Sequence, residues 1–129
     1  MILSVYPVEE VYKMKMAWIT DPHFNFISDR EMAKFVVLNL VKDKPDVFVV
    51  GGDIGDACNF DKYLVALSNT GVKVFFVAGN HDFYGSSFDV VNFRMEELVK
   101  KHPFLFWLDQ EDYVELTPDC ALVGAGSWA

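Results

Sequence analysis

Three short clusters of polar side chains combine groups that are suited to catalysis or metal binding. The clusters are Asp21 with His23, Asp53 with Asp56, and Asn80 with His81 and Asp82. Imidazole and carboxylate groups are the side chains that most often transfer protons and bind metal ions. One Asp-x-His pair alone has an ordinary structural explanation, because Asp and Asn commonly cap helices and end strands. Three such clusters are not explained in this way, because capping requires one polar atom and does not require imidazole and carboxylate together.

Each cluster directly follows a short apolar run that predicts a buried β-strand. The runs cover residues 16–20, 46–50 and 72–78. In open α/β sheets, ligands bind outside the carboxyl ends of the strands. We therefore expect the three clusters to meet at one edge of one sheet and to form a single site.

The segments between and after these runs predict helices. The predicted helices cover residues 30–41, 60–69 and 87–101. Ser28 or Asp29 can cap the first of them. Strands that alternate with helices at intervals of about 30 residues indicate right-handed βαβ units and a mainly parallel sheet.

After the third helix the pattern changes to short strand-like runs separated by polar turns. These runs cover residues 104–108, 113–116 and 121–125. They predict a short β meander. The expected fold class is therefore α/β, with βαβαβα units followed by that meander.

The composition indicates one folded domain with a strongly acidic balance. The chain has 129 residues, of which 52% are hydrophobic, and this is enough to form a core. Its 19 acidic and 11 basic side chains give a formal charge of −8. That sign does not favour binding to nucleic acid through Lys and Arg. An anionic substrate would need positive charge from another source, and bound divalent cations would supply it.

Other features of the composition bear on location and on sulfur chemistry. No apolar run approaches the roughly 20 residues of a membrane span, and the first residues do not resemble a signal peptide. We therefore expect a cytoplasmic protein without a membrane partner. Cys58 and Cys120 lack CxxC spacing and do not suggest a thiolate metal site, so we expect them to be buried.

The clusters, in their order and spacing, resemble the motifs of the calcineurin-like metallophosphoesterases. The D-x-H, G-D-x-x-D and G-N-H-D/E motifs of that family match Asp21/His23, Gly52/Asp53/Asp56 and Gly79/Asn80/His81/Asp82. The resemblance implies the N-terminal part of a four-layer α-β-β-α sandwich. Residues 13–16 look like a natural beginning for the first strand, so we expect residues 1–13 to be an N-terminal extension or an incorrectly assigned start. Residues 14–129 are then a truncated phosphoesterase domain.

The resemblance also implies a ligand set for two divalent cations. Asp21 and His23 would bind the first metal, Asp53 would bridge both, and Asn80 would bind the second through its amide oxygen. Oxygen and nitrogen ligands without sulfur suit Mn²⁺, Fe or Zn²⁺. Two cations about 3.5–4 Å apart acidify a bridging water and hold the attacking and leaving oxygens during displacement at phosphorus. The implied substrates are phosphate monoesters or diesters.

The remaining motif residues would act around the metals. His81 would stay off the metals and stabilise the transition state or protonate the leaving group, and Asp82 would orient its imidazole. Asp56 would orient ligands from outside the coordination sphere.

The chain departs from the family because three later histidines, two of them in a G-H-x-H motif, have no counterpart. The remaining histidine, His102, ends the third predicted helix and is expected at the opposite edge of the sheet. We therefore expect a weakly held first metal, a largely lost second metal, and weak or absent hydrolysis. Exposed apolar surface and an unpaired sheet edge favour a homodimer. The alternative function is a non-catalytic protein-interaction module that keeps the fold.

Overall fold

The structure, a computed structural model, describes residues 12–126. The predicted extension at residues 1–13 lies outside this range except for its last two residues. Within the described range, no helix is both long enough and apolar enough to cross a membrane.

The centre of the fold is a four-stranded sheet in which neighbouring strands are parallel and follow the order of the chain. Its strands are β1 (Met16–Ile19), β2 (Val47–Gly51), β3 (Lys73–Val77) and β4 (Leu105–Trp107). The predicted α/β class with a parallel sheet is confirmed. A parallel sheet directs the carboxyl ends of all its strands to the same edge.

Three helices connect the strands, close to the predicted positions. They are α1 (Asp29–Val36), continued by a π-helical segment (Val37–Lys42), then α2 (Phe60–Ser68) and α3 (Phe88–Lys101). A capping box starts α1, because the Ser28 hydroxyl accepts from the Glu31 backbone N–H while the Glu31 carboxylate accepts from the Ser28 backbone N–H. Of the two predicted capping residues, Ser28 therefore performs the role.

The sequential strand order places all three helices on one face of the sheet. Each right-handed crossover to the next strand on the same side returns over the same face. The main core confirms this arrangement, since it joins alternate strand residues such as Val50 and Phe76 to residues of all three helices, including Leu40, Leu64 and Met95. These helices hold the sheet from one side only.

The opposite face is covered in part by an antiparallel hairpin, β5 (Val114–Thr117) and β6 (Cys120–Leu122). Val47 and Phe75 from the sheet pack there against hairpin residues that include Leu116. The covering stops short of β1, one of the two edge strands of this sheet, where Trp18 is 70% exposed. The prediction of a buried first strand is therefore wrong for this face.

Two further predictions need correction. The run at residues 104–108 does not join a meander, because β4 pairs with β3 in the parallel sheet and only the other two runs form an antiparallel pair. The cause is the preceding helix α3, which supplies a crossover and brings Leu105 and Trp107 onto the main core. Cys58 and Cys120 are exposed and not buried.

Candidate metal centre

The loop that follows β1 is held against the loop that follows β2 by backbone hydrogen bonds. The N–H of Asp21 donates to the carbonyl of Gly52 over 3.1 Å, and the N–H of His23 donates to the carbonyl of Asp53 over 2.9 Å. These bonds continue the pairing of β1 with β2 beyond the strands themselves. They bring the first two predicted clusters into contact.

The loop that follows β3 is packed equally closely against Asp53. The Asp53 carboxylate accepts a hydrogen bond from the backbone N–H of His81 over 3.0 Å. Gly79 lies so near that a Cβ added there would collide with the Asp53 carboxylate and backbone. Only glycine allows this approach of the two loops, and the third cluster therefore joins the other two.

Three possible metal ligands meet at this carboxyl edge of the sheet. Donor atoms of His23, Asp53 and His81 all lie within 4.8 Å of one another. Nε2 of His23 is 3.5 Å from a carboxylate oxygen of Asp53. The rings of His23 and His81 stand edge to face, with 4.8 Å between their centroids. A carboxylate and two imidazoles, converging from three loops, form one site.

The donor set and the surroundings of His23 both fit a divalent cation. Imidazole nitrogen and carboxylate oxygen bind Mn²⁺, Fe and Zn²⁺. Nδ1 of His23 is buried and has no hydrogen-bond partner within residues 12–126. Buried polar atoms are nearly always paired, so an imidazole with an unused nitrogen is suited to coordination by an ion or a water.

Backbone strain is concentrated at this edge of the sheet. Asp21, His23 and Asp53 have φ angles of 48°, 43° and 49°, in the left-handed region that L residues seldom adopt. Such a conformation costs of order 1–3 kcal/mol for each residue. The surrounding loops must overcome that cost, and the sharp turns direct the side chains of His23 and Asp53 into one site.

The structure brings together two of the four ligands that the resemblance implied and adds another histidine. His23 and Asp53 belong to the group of close donors, whereas Asp21 is exposed and lies outside it. The Asn80 side-chain amide donates to the Tyr84 hydroxyl over 2.9 Å. His81 belongs to the group, although the resemblance placed it off the metals.

Asp82 is fully buried and joins the loops after β2 and β3. One carboxylate oxygen accepts from the backbone N–H groups of Ile54 and Gly55, and the other accepts from that of Gly79, each over 2.9 Å. Burial raises the pKa of Asp82, as does the nearby charge of Asp53, whereas the three backbone hydrogen bonds lower it. These bonds hold the loops together, which differs from the implied role of orienting the His81 ring.

Asp56 has a local role in the turn that leads into α2. Its carboxylate accepts from the backbone N–H of Cys58, while its own N–H donates to the side-chain oxygen of Asn59, each over 2.9 Å. These bonds close a turn typical of Asp and Asn. Orientation of a metal ligand by Asp56 therefore stays a prediction.

The parallel α/β fold and the converging donors define a protein that can bind a divalent cation at the carboxyl edge of its sheet. The comparison with known families agrees, because residues 14–128 match the model of the calcineurin-like phosphoesterases. The chain belongs to this family. The resemblance of the sequence motifs is confirmed.

A relative is found among viral proteins. The chain is 26% identical over 125 residues to an uncharacterized protein of Acanthamoeba polyphaga mimivirus. The match covers 88% of this chain and 44% of the viral protein. The chain therefore spans less than half the length of that relative.

Proposed function

We propose that these residues form the metal-binding part of a phosphoesterase that hydrolyses phosphate monoesters or diesters. The observation that carries the proposal is the convergence of His23, Asp53 and His81 within 4.8 Å at the carboxyl edge of the sheet. Family membership supports metal-dependent phosphoesterase activity as the reaction class. Two divalent ions are expected for the complete domain, with Mn²⁺, Fe and Zn²⁺ as the candidates.

The net charge of −8 explains why an anionic substrate would depend on a cation. A bound divalent cation supplies positive charge for the phosphoryl oxygens and lowers the pKa of a water. His23, Asp53 and His81 would hold it, as their geometry indicates. Asp21 and Asn80 stay proposed ligands on the resemblance alone. With this ligand set we expect metal binding and hydrolysis by the 129-residue chain to be weak.

The chain's own groups would keep Asp53 and His81 in place. The backbone N–H of His81 fixes one oxygen of Asp53 and leaves the other facing His23. The His81 ring packs at 4.4 Å from that of Tyr84, measured between centroids. His81 has two proposed roles, as a metal ligand from its position and as a proton donor or transition-state group from the resemblance.

Metal binding tests the proposal directly. Isothermal titration with Mn²⁺ is expected to give binding by the wild type that Asp53→Asn weakens by at least tenfold. Asn keeps the size of the side chain and an oxygen that accepts from the His81 N–H. The matched control is Asp112→Asn, at an exposed position outside the site, and it should bind as the wild type does. Equal affinities in all three proteins would contradict the proposal.

Hydrolysis of an aryl phosphate with Mn²⁺ separates the two roles of His81. If His81 is a ligand, His81→Ala lowers Mn²⁺ affinity and turnover together. If it acts on the substrate, turnover falls while Mn²⁺ affinity is unchanged. His102→Ala is the control and should alter neither quantity, because His102 lies between α3 and the amino end of β4, at the opposite edge of the sheet from the group of donors. Turnover that survives both Asp53→Asn and His81→Ala would refute the mechanism.

The second proposed function is protein binding through the exposed edge of the sheet, by a homodimer or another partner. Met16 and Trp18 lie on the same face of β1 and are 45% and 70% exposed. β1 pairs only with β2 within the described residues, so one side of its backbone is free for another strand. Light scattering should give a dimer that Trp18→Lys dissociates. A monomer at all concentrations would refute self-association.

A further inference from the structure

Tyr84 contacts two of the polar residues that follow β3. Its hydroxyl accepts a hydrogen bond from the side-chain amide of Asn80 over 2.9 Å. Its ring lies against the ring of His81, with 4.4 Å between the centroids and 33° between the planes. The three sequence motifs end at Asp82 and therefore do not include Tyr84. Its contacts nevertheless join a proposed metal ligand to one of the three close donors.

The backbone holds Tyr84 in a defined position. A 3₁₀ turn, His81–Phe83, has Asn80 at its start and Tyr84 at its end. The N–H of Tyr84 donates to the carbonyl of His81 over 3.0 Å, and the carbonyl of Tyr84 accepts from the N–H of Ala57 over 3.1 Å. The second bond reaches the segment that follows β2. The main chain of Tyr84 is thus fixed between two loops of the site, although the residue as a whole is 49% exposed.

The hydrogen bond to Tyr84 determines which end of the Asn80 amide is free. A side-chain amide has an acceptor oxygen and a donor NH₂ group. In Asn80 the NH₂ group donates to Tyr84, whereas the side-chain oxygen makes no hydrogen bond within residues 12–126. That oxygen is the atom that the family resemblance assigns to the second cation. The bond to Tyr84 therefore leaves the proposed ligand atom of Asn80 unused.

The phenol hydroxyl could also hold the amide in the opposite orientation, because a hydroxyl both donates and accepts. The Asn80 oxygen would then accept from Tyr84, and the NH₂ group would be presented to the cation. Hydrogens with partial positive charge are repelled by a cation, so a bound cation favours the orientation that the structure has. In this orientation the hydroxyl proton of the half-exposed Tyr84 can bind water.

The ring of His81 is in contact with two other rings. Besides the Tyr84 ring, the ring of His23 stands edge to face with it at 4.8 Å. Aromatic rings at about these distances attract one another, and this contact limits their rotation. Both proposed roles of His81, as a metal ligand and as a group that acts on the substrate, require an imidazole with a fixed direction. The Tyr84 ring helps to fix that direction.

We propose that Tyr84 is a positioning residue of the metal centre. Its hydroxyl holds the Asn80 amide with the oxygen free for a cation, and its ring holds the imidazole of His81. This inference rests on the proposed function, because both side chains serve the cation that this function requires. Partners that orient metal ligands commonly change metal affinity about 10–100-fold. The bond between Tyr84 and Asn80 is exposed, so we expect an effect of about three- to tenfold, that of one hydrogen bond.

The first test is isothermal titration of the full chain with Mn²⁺. Tyr84→Phe removes only the hydroxyl and should weaken binding about three- to tenfold. Asn80→Ala should weaken it at least as much, and Tyr84→Phe added to Asn80→Ala should cause no further loss, because the hydroxyl acts through Asn80. The matched control is Tyr113→Phe, at a tyrosine that is 62% exposed and outside the site, and it should bind as the wild type does.

Nuclear magnetic resonance of the metal-free protein gives a readout that a purely stabilising role would not change. The wild type should show nuclear Overhauser effects between the Asn80 NH₂ protons and the Tyr84 ring. Tyr84→Phe should shift the Asn80 NH₂ signals and leave the His81 ring signals in place, whereas Tyr84→Leu should shift both. The urea midpoint of Tyr84→Phe should equal that of the wild type, because the lost hydroxyl bond is exposed.

The outcomes distinguish this inference from the proposed function. Mn²⁺ binding that Asp53→Asn weakens and Tyr84→Phe does not alter would overturn the inference and leave the metal site intact. Coupling of Tyr84 to Asn80 in Mn²⁺ binding, with no effect of Asp53→Asn, would support the inference and refute the site at Asp53. Asn80 and His81 signals that neither Tyr84→Phe nor Tyr84→Leu shifts would overturn the positioning role.

Discussion

Replacement of Asp82 by Asn tests whether a buried carboxylate holds the metal-site loops together. In the wild type, three backbone N–H groups donate to this carboxylate, two to one oxygen and one to the other. Asn keeps one acceptor oxygen, which can serve Ile54 and Gly55. Its NH₂ group would then face the N–H of Gly79, so that two donors oppose each other.

The expected cost follows from these contacts. A buried donor without a partner costs about 1–3 kcal/mol, and hydrogen bonds to a charged group contribute about 1.5–3 kcal/mol each. The loss of negative charge at a buried position offsets part of this cost. We expect Asp82→Asn to lower the free energy of unfolding by about 2–4 kcal/mol.

Urea unfolding followed by circular dichroism measures this free energy. Asp112→Asn, the same chemical change at an exposed position, should alter it by less than about 0.5 kcal/mol. Asp82→Asn should also weaken Mn²⁺ binding, because the loops after β2 and β3 carry Asp53 and His81. A variant within about 0.5 kcal/mol of the wild type, with unchanged Mn²⁺ affinity, would refute the reasoning.

Further predictions concern the loops, the first helix and the metal. Gly79→Ala should lower the free energy of unfolding by about 3 kcal/mol or more and abolish Mn²⁺ binding, because the added Cβ meets the backbone and carboxylate of Asp53. The control is Gly71→Ala, whose added Cβ meets nothing within 4 Å. It should leave Mn²⁺ binding intact in the same titration. Ser28→Ala removes the cap of α1 and should lower the free energy of unfolding, measured in urea, by about 1 kcal/mol. A loss of less than about 0.3 kcal/mol would contradict the capping role of Ser28. The backbone N–H of Ser28 lowers the pKa of Glu31 from its usual 4.5. The folded state therefore gains stability from this bond above pH 4.5 and loses it as the pH falls through the lowered pKa. An acid titration of the stability of Glu31→Gln should lack that loss. Mn²⁺ at 100 times its Kd should raise the free energy of unfolding by about 2.7 kcal/mol, and EDTA should reverse the gain in a thermal melt.

Much of the fold follows from local patterns in the sequence. The apolar runs before the polar clusters predicted β1, β2 and β3, and Ser28 identified the start of α1, because strand burial and helix capping depend on near neighbours. β4 was assigned to a meander for the opposite reason. Its place beside β3 depends on the crossover through α3 and on contacts of Leu105 with distant core residues.

The same distinction applies to the site. The order of the motifs correctly predicted that His23 and Asp53 lie close together, because His23 follows β1 and Asp53 follows the adjacent parallel strand β2. The loop conformation that turns His81 toward them, and the three amides that surround Asp82, depend on the packing of one loop against another. The close spacing of Gly79 and Asp82 was the available signal, because a tight turn beside a buried carboxylate favours hydrogen bonds to backbone N–H groups.

The sequential order of the strands has a consequence for how the chain folds during synthesis. Each strand of the sheet pairs with the strand made just before it, so the sheet can grow from one edge as the polypeptide leaves the ribosome. The three donors of the metal centre, His23, Asp53 and His81, all come before α3 in the chain. The centre can therefore assemble once β3 has paired with β2, before α3, β4 and the hairpin have been synthesised. A cation bound at that stage would stabilise the nascent sheet against unfolding while the rest of its core is still being made.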